Sequence, residues 1–285
     1  MADKVASLPP LRDVIAAHEL RAHKSLGQHF LLDLNLTGRI AKSAANLDKG
    51  TIIEIGPGPG GLTRALLLAG AKNIIAVEKD RRCIAALQDL ITAANGRLTV
   101  LEADALEFST ATLGEPPRQI VANLPYNIAS PLLIQWLKAI AENPAHLSAM
   151  TIMVQKEVAM RLIAKPRSKD YGRLSVLTQA ICQVDCLFDI NPRAFTPPPK
   201  VDSTVVQLIP KEKMPDFPLT ILEKLTAAAF GQRRKMLRQS LKSILPDTEK
   251  TIAALRLPPT ARAEELSIED FFTIARRLNR PGANA

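Results

Sequence analysis

The chain has 285 residues, 47% apolar and 4% aromatic, long enough for one large domain or for a large and a small one. No apolar run approaches the roughly 18 residues a membrane helix needs, and the first thirty residues carry no continuous apolar core that would mark a secretory signal. A formal charge of +9 favours a polyanionic partner, nucleic acid before an anionic membrane surface.

Asp3, Asp13 and Glu19 are acids that an organelle transit peptide would lack, so a cytoplasmic protein is expected. Residues 1–25 read as a loosely structured N-terminal arm. From residue 51 short β-branched runs alternate with amphipathic ones. Thr51–Ile55, Asn73–Val77, Leu98–Leu101 and Gln119–Ala122 read as strands, with helical patterns over Leu62–Ala69 and Arg81–Ala93. Such alternation implies parallel strands joined by crossover helices and buried on both faces. Further strand-like runs follow at Ala149–Val154, Ser175–Leu187 and Thr204–Ile209. The fold class is therefore α/β, a doubly wound, mostly parallel Rossmann-like sheet over residues 26–211.

Three prolines between Pro210 and Pro218 mark a linker, beyond which only helical patterns remain. A small all-helical domain is expected over 215–280. Within it, Ser267-Ile-Glu-Asp270 can cap a helix that carries Arg276 and Arg277 in its last turn, matching the helix dipole. Arg233, Arg234, Lys235, Arg238 and Lys242, interleaved with Met236, Leu237 and Leu241, read as one helix with a cationic and an apolar side. In a basic protein such a face suits phosphate contact, which positions nucleic acid without reading its sequence. Lys200 and Arg173 are weaker candidates for the same task. Cys83, Cys182 and Cys186 are read as small buried or half-buried thiols; no histidine lies near the last two in sequence, and no metal is expected.

The first strand runs into Glu54-Ile-Gly-Pro-Gly-Pro-Gly-Gly-Leu-Thr63, which contains G-x-G-x-x-G at Gly56, Gly58 and Gly61. Glycines between a strand and a helix let the backbone turn tightly and approach a ligand. Glu78 ends the second strand 22 positions after Gly56, where a ribose-binding carboxylate belongs. These features support a nucleoside cofactor without choosing between a dinucleotide and S-adenosylmethionine. Asp104, followed by Ala105, ends the third strand and can accept hydrogen bonds from an adenine amino group.

The fourth strand ends in Asn123-Leu124-Pro125-Tyr126. Hydride transfer gives no reason for these groups, whereas methylation of an exocyclic amine does. The amino nitrogen of adenine donates its lone pair into the ring and is a weak nucleophile. Two acceptors aimed at its hydrogens would orient it and draw it towards tetrahedral geometry. The Asn123 side-chain carbonyl can be one acceptor. The Leu124 backbone carbonyl can be the other, because Pro125 holds Leu124 extended. Tyr126 can stack on a base removed from its helix or loop.

With Lys24–Asp33, Glu54–Thr63, Asn123–Pro131 and Ala194–Ser203 taken together, the chain closely resembles the KsgA-type small-subunit ribosomal RNA adenine dimethyltransferases. Gln155–Glu157, Tyr171–Ser175 and Phe230–Lys235 are also similar to that family. The resemblance covers nearly the whole chain. It implies transfer of four methyl groups from S-adenosylmethionine, two to each of two adjacent adenines in a hairpin loop near the 3′ end of small-subunit rRNA. It also implies a role at the assembling small ribosomal subunit. By position it implies cofactor contacts from His29, Leu31, Gly56, Glu78, Asp104 and Asn123, with Gly58 and Ala105 beside them. Phe195 is similar to a residue facing the target base opposite Tyr126; its alternative is a core aromatic anchoring the Thr196–Pro199 turn. His29 stands where the family commonly has Asn. A monomer is expected. Alternatives are a large-subunit rRNA adenine methyltransferase of the antibiotic-resistance type, and an assembly factor that binds the particle with methylation secondary or lost. A third, an NAD-dependent dehydrogenase, leaves Asn123–Tyr126 unexplained.

Overall fold

The computed structural model describes residues 4–22, 27–232, 234–245 and 247–279. In chain order the first elements are α1 (Leu11–Ala17), β1 (Phe30–Leu31), α2 (Leu34–Ser43), β2 (Thr51–Ile55), α3 (Gly61–Leu68), β3 (Ile74–Glu78), α4 (Arg81–Ala86), α5 (Gln88–Ala94) and β4 (Leu98–Glu102). They continue with β5 (Arg118–Asn123), α6 (Ala129–Glu142), β6 (Ala149–Gln155), α7 (Lys156–Ile163), α8 (Arg173–Ile181), β7 (Cys182–Ile190), β8 (Phe195–Thr196) and β9 (Ser203–Pro210). The last are α9 (Leu219–Gly231), α10 (Leu237–Ser240), α11 (Thr248–Ala254) and α12 (Ile268–Leu278).

Seven strands form one sheet in the order β4-β3-β2-β5-β6-β9-β7. The five from β4 to β6 pair in parallel, and β9 runs antiparallel to β6. All five residues of β2 are buried, which a β-branched strand covered on both faces requires. The chain winds outward from β2 through β3 to β4, then returns to place β5 on the other side of β2. Strand order therefore reverses between β2 and β5, and the crevice beyond their carboxyl ends is where doubly wound sheets bind ligands. Gly56 leaves β2 and Asn123 ends β5 at that crevice.

Backbone contacts divide the chain into two compact units. One holds Met1–Trp136, Ala145–Ala159 and Asp185–Pro210; the other holds Leu137–Pro144, Met160–Val184 and Lys211–Ala285. The second is built around helices. Tyr171 is fully buried there, its ring edge-on to Phe230, which stacks on Phe271 at a centroid distance of 5.7 Å. The Ser267–Asp270 cap forms as read: Ser267 Oγ accepts from the Asp270 N–H, and Asp270 accepts from the Ser267 N–H.

Three expectations are corrected. Ser175–Ile181, read as strand, is most of helix α8. A short apolar run does not distinguish a buried helix from a buried strand, and here the Gly172 N–H donating to Ser175 Oγ starts the helix. The basic segment is not one helix. Arg234 and Lys235 lie in a turn, and only Leu237–Ser240 is helical. Its two sides survive nevertheless: Leu237 and Leu241 are buried while Arg234, Lys235, Arg238 and Lys242 are exposed. Arg233 lies outside the described residues. Finally, residues 5–22 are not loose. Val5, Leu11 and Leu20 are buried, and the Arg64 guanidinium from α3 donates to the carbonyls of Ala6, Leu8 and Pro9. No helix among the described residues is long and apolar enough to cross a membrane.

The Tyr171 hydroxyl donates to the Leu266 carbonyl at 2.9 Å inside the second unit. Tyr171→Phe leaves that buried acceptor unpaired and should cost about 1–2 kcal/mol. Urea unfolding of the full chain, followed by near-UV signals of the second unit, checks the figure; an unchanged midpoint contradicts it.

Candidate functional site

A cavity of about 330 Å³ opens at the crevice, lined from five directions: the segment Gly27–Leu31, the glycine loop, the end of β3, the turn after β4 and the end of β5. The glycine loop is shaped by backbone that other residues resist. Gly58 has φ +55°, in the left-handed region. A Cβ on Gly61, at the start of α3, would lie 2.7 Å from the Leu31 carbonyl oxygen, so the loop and the β1 segment touch backbone to backbone there. Gly56, Gly58 and Leu31 all face the cavity.

Glu78 organises the floor. Its Oε2 accepts from the Gly58 N–H at 3.0 Å, and Oε1 accepts from the N–H groups of Lys79 and Asp80 at 2.9 and 2.8 Å. One carboxylate thus ties the glycine loop to the end of β3. Burial raises its pKa, partly offset by those three donors. A carboxylate offers about four lone-pair sites, so acceptor capacity remains for ligand hydroxyls.

Glu54 is a residue that sequence reasoning passed over, although a lone acid within an otherwise apolar strand was the visible signal. It is 1% exposed and lines the same cavity. Its Oε2 has no hydrogen-bond partner. Thr63 is close enough to lower its pKa slightly, but the Thr63 hydroxyl itself completes no hydrogen bond. Burial, with some repulsion from Glu78, pushes the Glu54 carboxyl up to about 8. Near neutral pH it is therefore mostly a protonated acid among the residues lining the cavity.

Asp104 and Ala105 line the same cavity. Asp104 accepts from Lys79 Nζ at 2.6 Å and from the Leu106 N–H at 2.9 Å. The lysine hydrogen bond, the larger cause, holds its carboxyl below the usual range. Lys79, a cavity-lining cation, was not singled out in the sequence.

At the end of β5 the polar accounting is informative. Asn123 Nδ2 donates to the His29 carbonyl at 3.2 Å. Since that partner can only accept, the amide nitrogen is fixed on it and Oδ1 is turned elsewhere. Among the described residues nothing donates to Oδ1, nor to the Leu124 carbonyl, whose own N–H donates to Met153. Two carbonyl oxygens on adjacent residues therefore lack donors at the cavity wall. Tyr126 closes the edge, its hydroxyl 2.6 Å from Ser203 Oγ. Burial raises the Tyr126 pKa, and the Ser203 hydrogen bond works against that.

His29 lines the cavity too, its ring centroid 5.5 Å from that of Tyr126 and 6.4 Å from that of Phe195. Phe195 is not brought into the cavity lining. It is 3% exposed and belongs to the hydrophobic core with Leu31, Val121 and Val205. Lys200 is exposed just past the Thr196–Pro199 turn. Arg173 pairs with Glu223, and Arg238 lies 4.0 Å from Glu249, both within the second unit. Cys83 and Cys182 are buried and Cys186 is exposed. No cluster of three or more potential metal ligands occurs among the described residues.

Residues 19–280 match the family described as "Ribosomal RNA adenine dimethylase". A ribosomal RNA small subunit methyltransferase A from Rhodospirillum rubrum is 56% identical over 280 residues, 97% of this chain and 94% of that protein. A protein of the same description from Ruegeria sp. is 50% identical over 97% of this chain and 99% of its own length. Among solved structures, a dimethyladenosine transferase from Plasmodium falciparum superposes with a TM-score of 0.71 at 27% identity, covering 86% of this chain and 96% of that one. The 23S rRNA methyltransferase ErmE gives 0.63 at 26%, over 88% and 100%. The chain belongs to the ribosomal RNA adenine dimethylase family.

Proposed function

We propose that this protein dimethylates the exocyclic amines of two adjacent adenines in the hairpin loop near the 3′ end of small-subunit rRNA, with S-adenosylmethionine as donor and the assembling small subunit as its partner. The observation that carries this reading is the pair of donorless carbonyls, Asn123 Oδ1 and Leu124 O, on the wall of a cavity suited to a nucleoside. Family membership, and the small-subunit description shared by relatives at 50–56% identity, support the substrate.

The cavity residues fit such a donor. Glu78 retains acceptor capacity for ribose hydroxyls, the cavity-lining Asp104 and Ala105 are assigned the adenine end, and Leu31, Gly56 and Gly58 line the cavity with backbone. The Glu54 carboxyl, whose Oε2 lacks a hydrogen-bond partner, suits the cationic end of the molecule, because a buried carboxylate near a positive charge is stabilised when ionised. Bound there, S-adenosylmethionine supplies a methyl group already activated by its sulfonium, so no metal and no covalent enzyme intermediate are needed.

Each side chain then has a defined task. Asn123 Oδ1 and the Leu124 carbonyl accept the two amine hydrogens, which aims the nitrogen lone pair and stabilises the positive charge that develops on it. Tyr126 stacks on the extracted base, with its hydroxyl anchored by Ser203. After one transfer a single amine hydrogen remains, so only one of the two carbonyls is engaged by a hydrogen in the second step. The exposed Arg234, Lys235, Arg238 and Lys242 of the second unit, with Lys200, offer phosphate contacts.

Asn123→Ala should reduce single-turnover methyl transfer about 10²–10³-fold; cofactor affinity is measured alongside, and near-normal turnover contradicts the clamp. The Glu54 reading has a definite sign in pH. In the empty cavity the acid keeps its proton up to about pH 8; a cationic ligand favours the ionised form, so binding expels that proton. Affinity for S-adenosylmethionine should rise with pH and level off above about 8, and Glu54→Gln should remove that slope. The same raised pKa makes the empty fold lose stability as pH climbs from the ordinary glutamate range towards 8. A calorimetric series across pH checks both. Finally, Arg234→Gln should weaken RNA binding and reduce its log–log salt slope by roughly 1; a salt titration that superposes on wild type returns that residue to a solvated role.

A further inference from the structure

The segment Gly27–Leu31 spans the crevice between the ends of β3 and β5 and lies against the glycine loop. A Cβ on Gly58 would come within 3.3 Å of the Phe30 ring, just as one on Gly61 would meet the Leu31 carbonyl. Two side chains hold the segment from opposite flanks. On the β5 flank, Asn123 Nδ2 donates to the His29 carbonyl. On the β3 flank, Gln28 Nε2 donates to Asp80 Oδ2 at 3.0 Å. Gln28 lines the cavity, whereas Asp80 stands behind it, 8% exposed. Asp80 accepts further bonds from the Arg82 backbone N–H at 3.1 Å and from the Arg82 guanidinium, Nε to Oδ1 and Nη2 to Oδ2. The Arg82 hydrogen bond, the largest cause, pulls the Asp80 carboxyl down to about 2, so it is ionised and can only accept. Gln28 therefore turns its amide nitrogen towards Asp80 and its carbonyl oxygen away. Capping α4 requires only the Arg82 N–H, and the ion pair requires only the guanidinium. Neither role asks for a glutamine 52 residues earlier in the chain.

We propose that Asp80 is a positioning residue for cofactor binding: its carboxylate fixes Gln28, and through it the wall Gly27–Leu31, against the end of β3. This rests on the reading that the cavity takes S-adenosylmethionine. Asp80 is well placed for the task, because its own N–H donates to Glu78 Oε1 at 2.8 Å. The wall and the carboxyl assigned to the ribose are thus tied to one residue. With the tie in place the wall is set before the ligand arrives. Without it the β3 flank is released, the binding-competent arrangement is populated only part of the time, and apparent affinity falls by that fraction. The β5 flank keeps its own tie through Asn123, so the chemical step at saturating cofactor is spared.

The test uses the full chain with Asp80→Ser, Gln28→Leu, the two combined, and Arg82→Met. Calorimetry gives affinity for S-adenosylhomocysteine, and single-turnover transfer to unmodified small ribosomal subunits gives the rate at saturating cofactor. Hydrogen exchange of residues 28–31 reads the wall directly. Serine keeps a hydroxyl that can cap α4 but is too short to reach Gln28. Asp80→Ser should weaken affinity about tenfold and speed exchange in the wall, with the saturated rate within about twofold. Gln28→Leu should lose at least as much affinity, and adding Asp80→Ser to it should cost less than about twofold more. Arg82→Met breaks the ion pair and leaves the Gln28 tie, so affinity should stay within about twofold. The proposal is overturned if Asp80→Ser binds as wild type or if its loss persists in full on top of Gln28→Leu. It is equally overturned if Arg82→Met loses as much affinity, which would make the ion pair the active feature. Should Asp80→Ser fail to fold, Gln28→Leu decides: unchanged exchange of residues 28–31 overturns the tie, and faster exchange with weaker binding supports it. Wild type that does not bind S-adenosylhomocysteine removes the cofactor reading and this proposal with it. Normal binding by both wild type and Asp80→Ser removes this proposal alone.

Discussion

The buried carboxylate of Glu78 is the constraint on which the site depends. Parallel strands end in a row of backbone groups with no further ladder partners, and a glycine loop has no side chains of its own to hold it. Glu78 answers both problems by accepting from Gly58, twenty residues upstream, and from the two residues that follow it. The loop gains a fixed shape without bulk, and the cavity floor gains a carboxyl group that is already oriented. Burying that charge is costly, and the raised pKa records the cost; three backbone donors make it tolerable. The second buried glutamate, Glu54, has no hydrogen-bond partner for its Oε2, and burial pushes its carboxyl up to about 8. Two glutamates on adjacent strands thus sit in different hydrogen-bonding environments.

The same logic of donors and acceptors explains the reactive wall. A strand end that terminates in Asn-Leu-Pro-Tyr could have satisfied itself locally. Instead the Asn123 amide nitrogen is taken by the β1 segment, Pro125 has no N–H to offer, and the Asn123 side-chain and Leu124 main-chain carbonyls of two cavity-lining residues receive no donor among the described residues. The sheet topology makes this arrangement useful. Because strand order reverses between β2 and β5, the glycine loop and the acceptor pair stand side by side at one crevice. The antiparallel β9 delivers Ser203 to the Tyr126 hydroxyl from the other flank.

Much of this was legible in the sequence because it is local. β-branched runs at Thr51–Ile55, Asn73–Val77 and Gln119–Ala122 announce buried strands; Gly56, Gly58 and Gly61 announce a tight turn; and Ser267-Ile-Glu-Asp270 announces a helix start. Ser175–Ile181 misled because a short, largely buried seven-residue stretch satisfies a helix or a strand equally, and tertiary burial chose the helix. The basic segment misled in a different way: the alternation of Arg and Leu was correctly sided, but turn geometry rather than helix places Arg234 and Lys235. What no local pattern could show is the pairing of β1 with β8 or the His29–Pro197 hydrogen bond, which join residues 164 to 168 apart. For Phe195 the sequence left a base-facing ring and a core aromatic both open, and its packing into the core follows from neighbours distant in sequence.

The central claim is that these two carbonyls direct methylation to an exocyclic amine. Its most direct test is nucleoside mass spectrometry of rRNA from unmodified small subunits after incubation with the protein and labelled S-adenosylmethionine. The account predicts label in dimethyladenosine, methylated on the amino nitrogen, at two adjacent loop positions. Label on a ring nitrogen, on another nucleoside, or only in large-subunit RNA would contradict it.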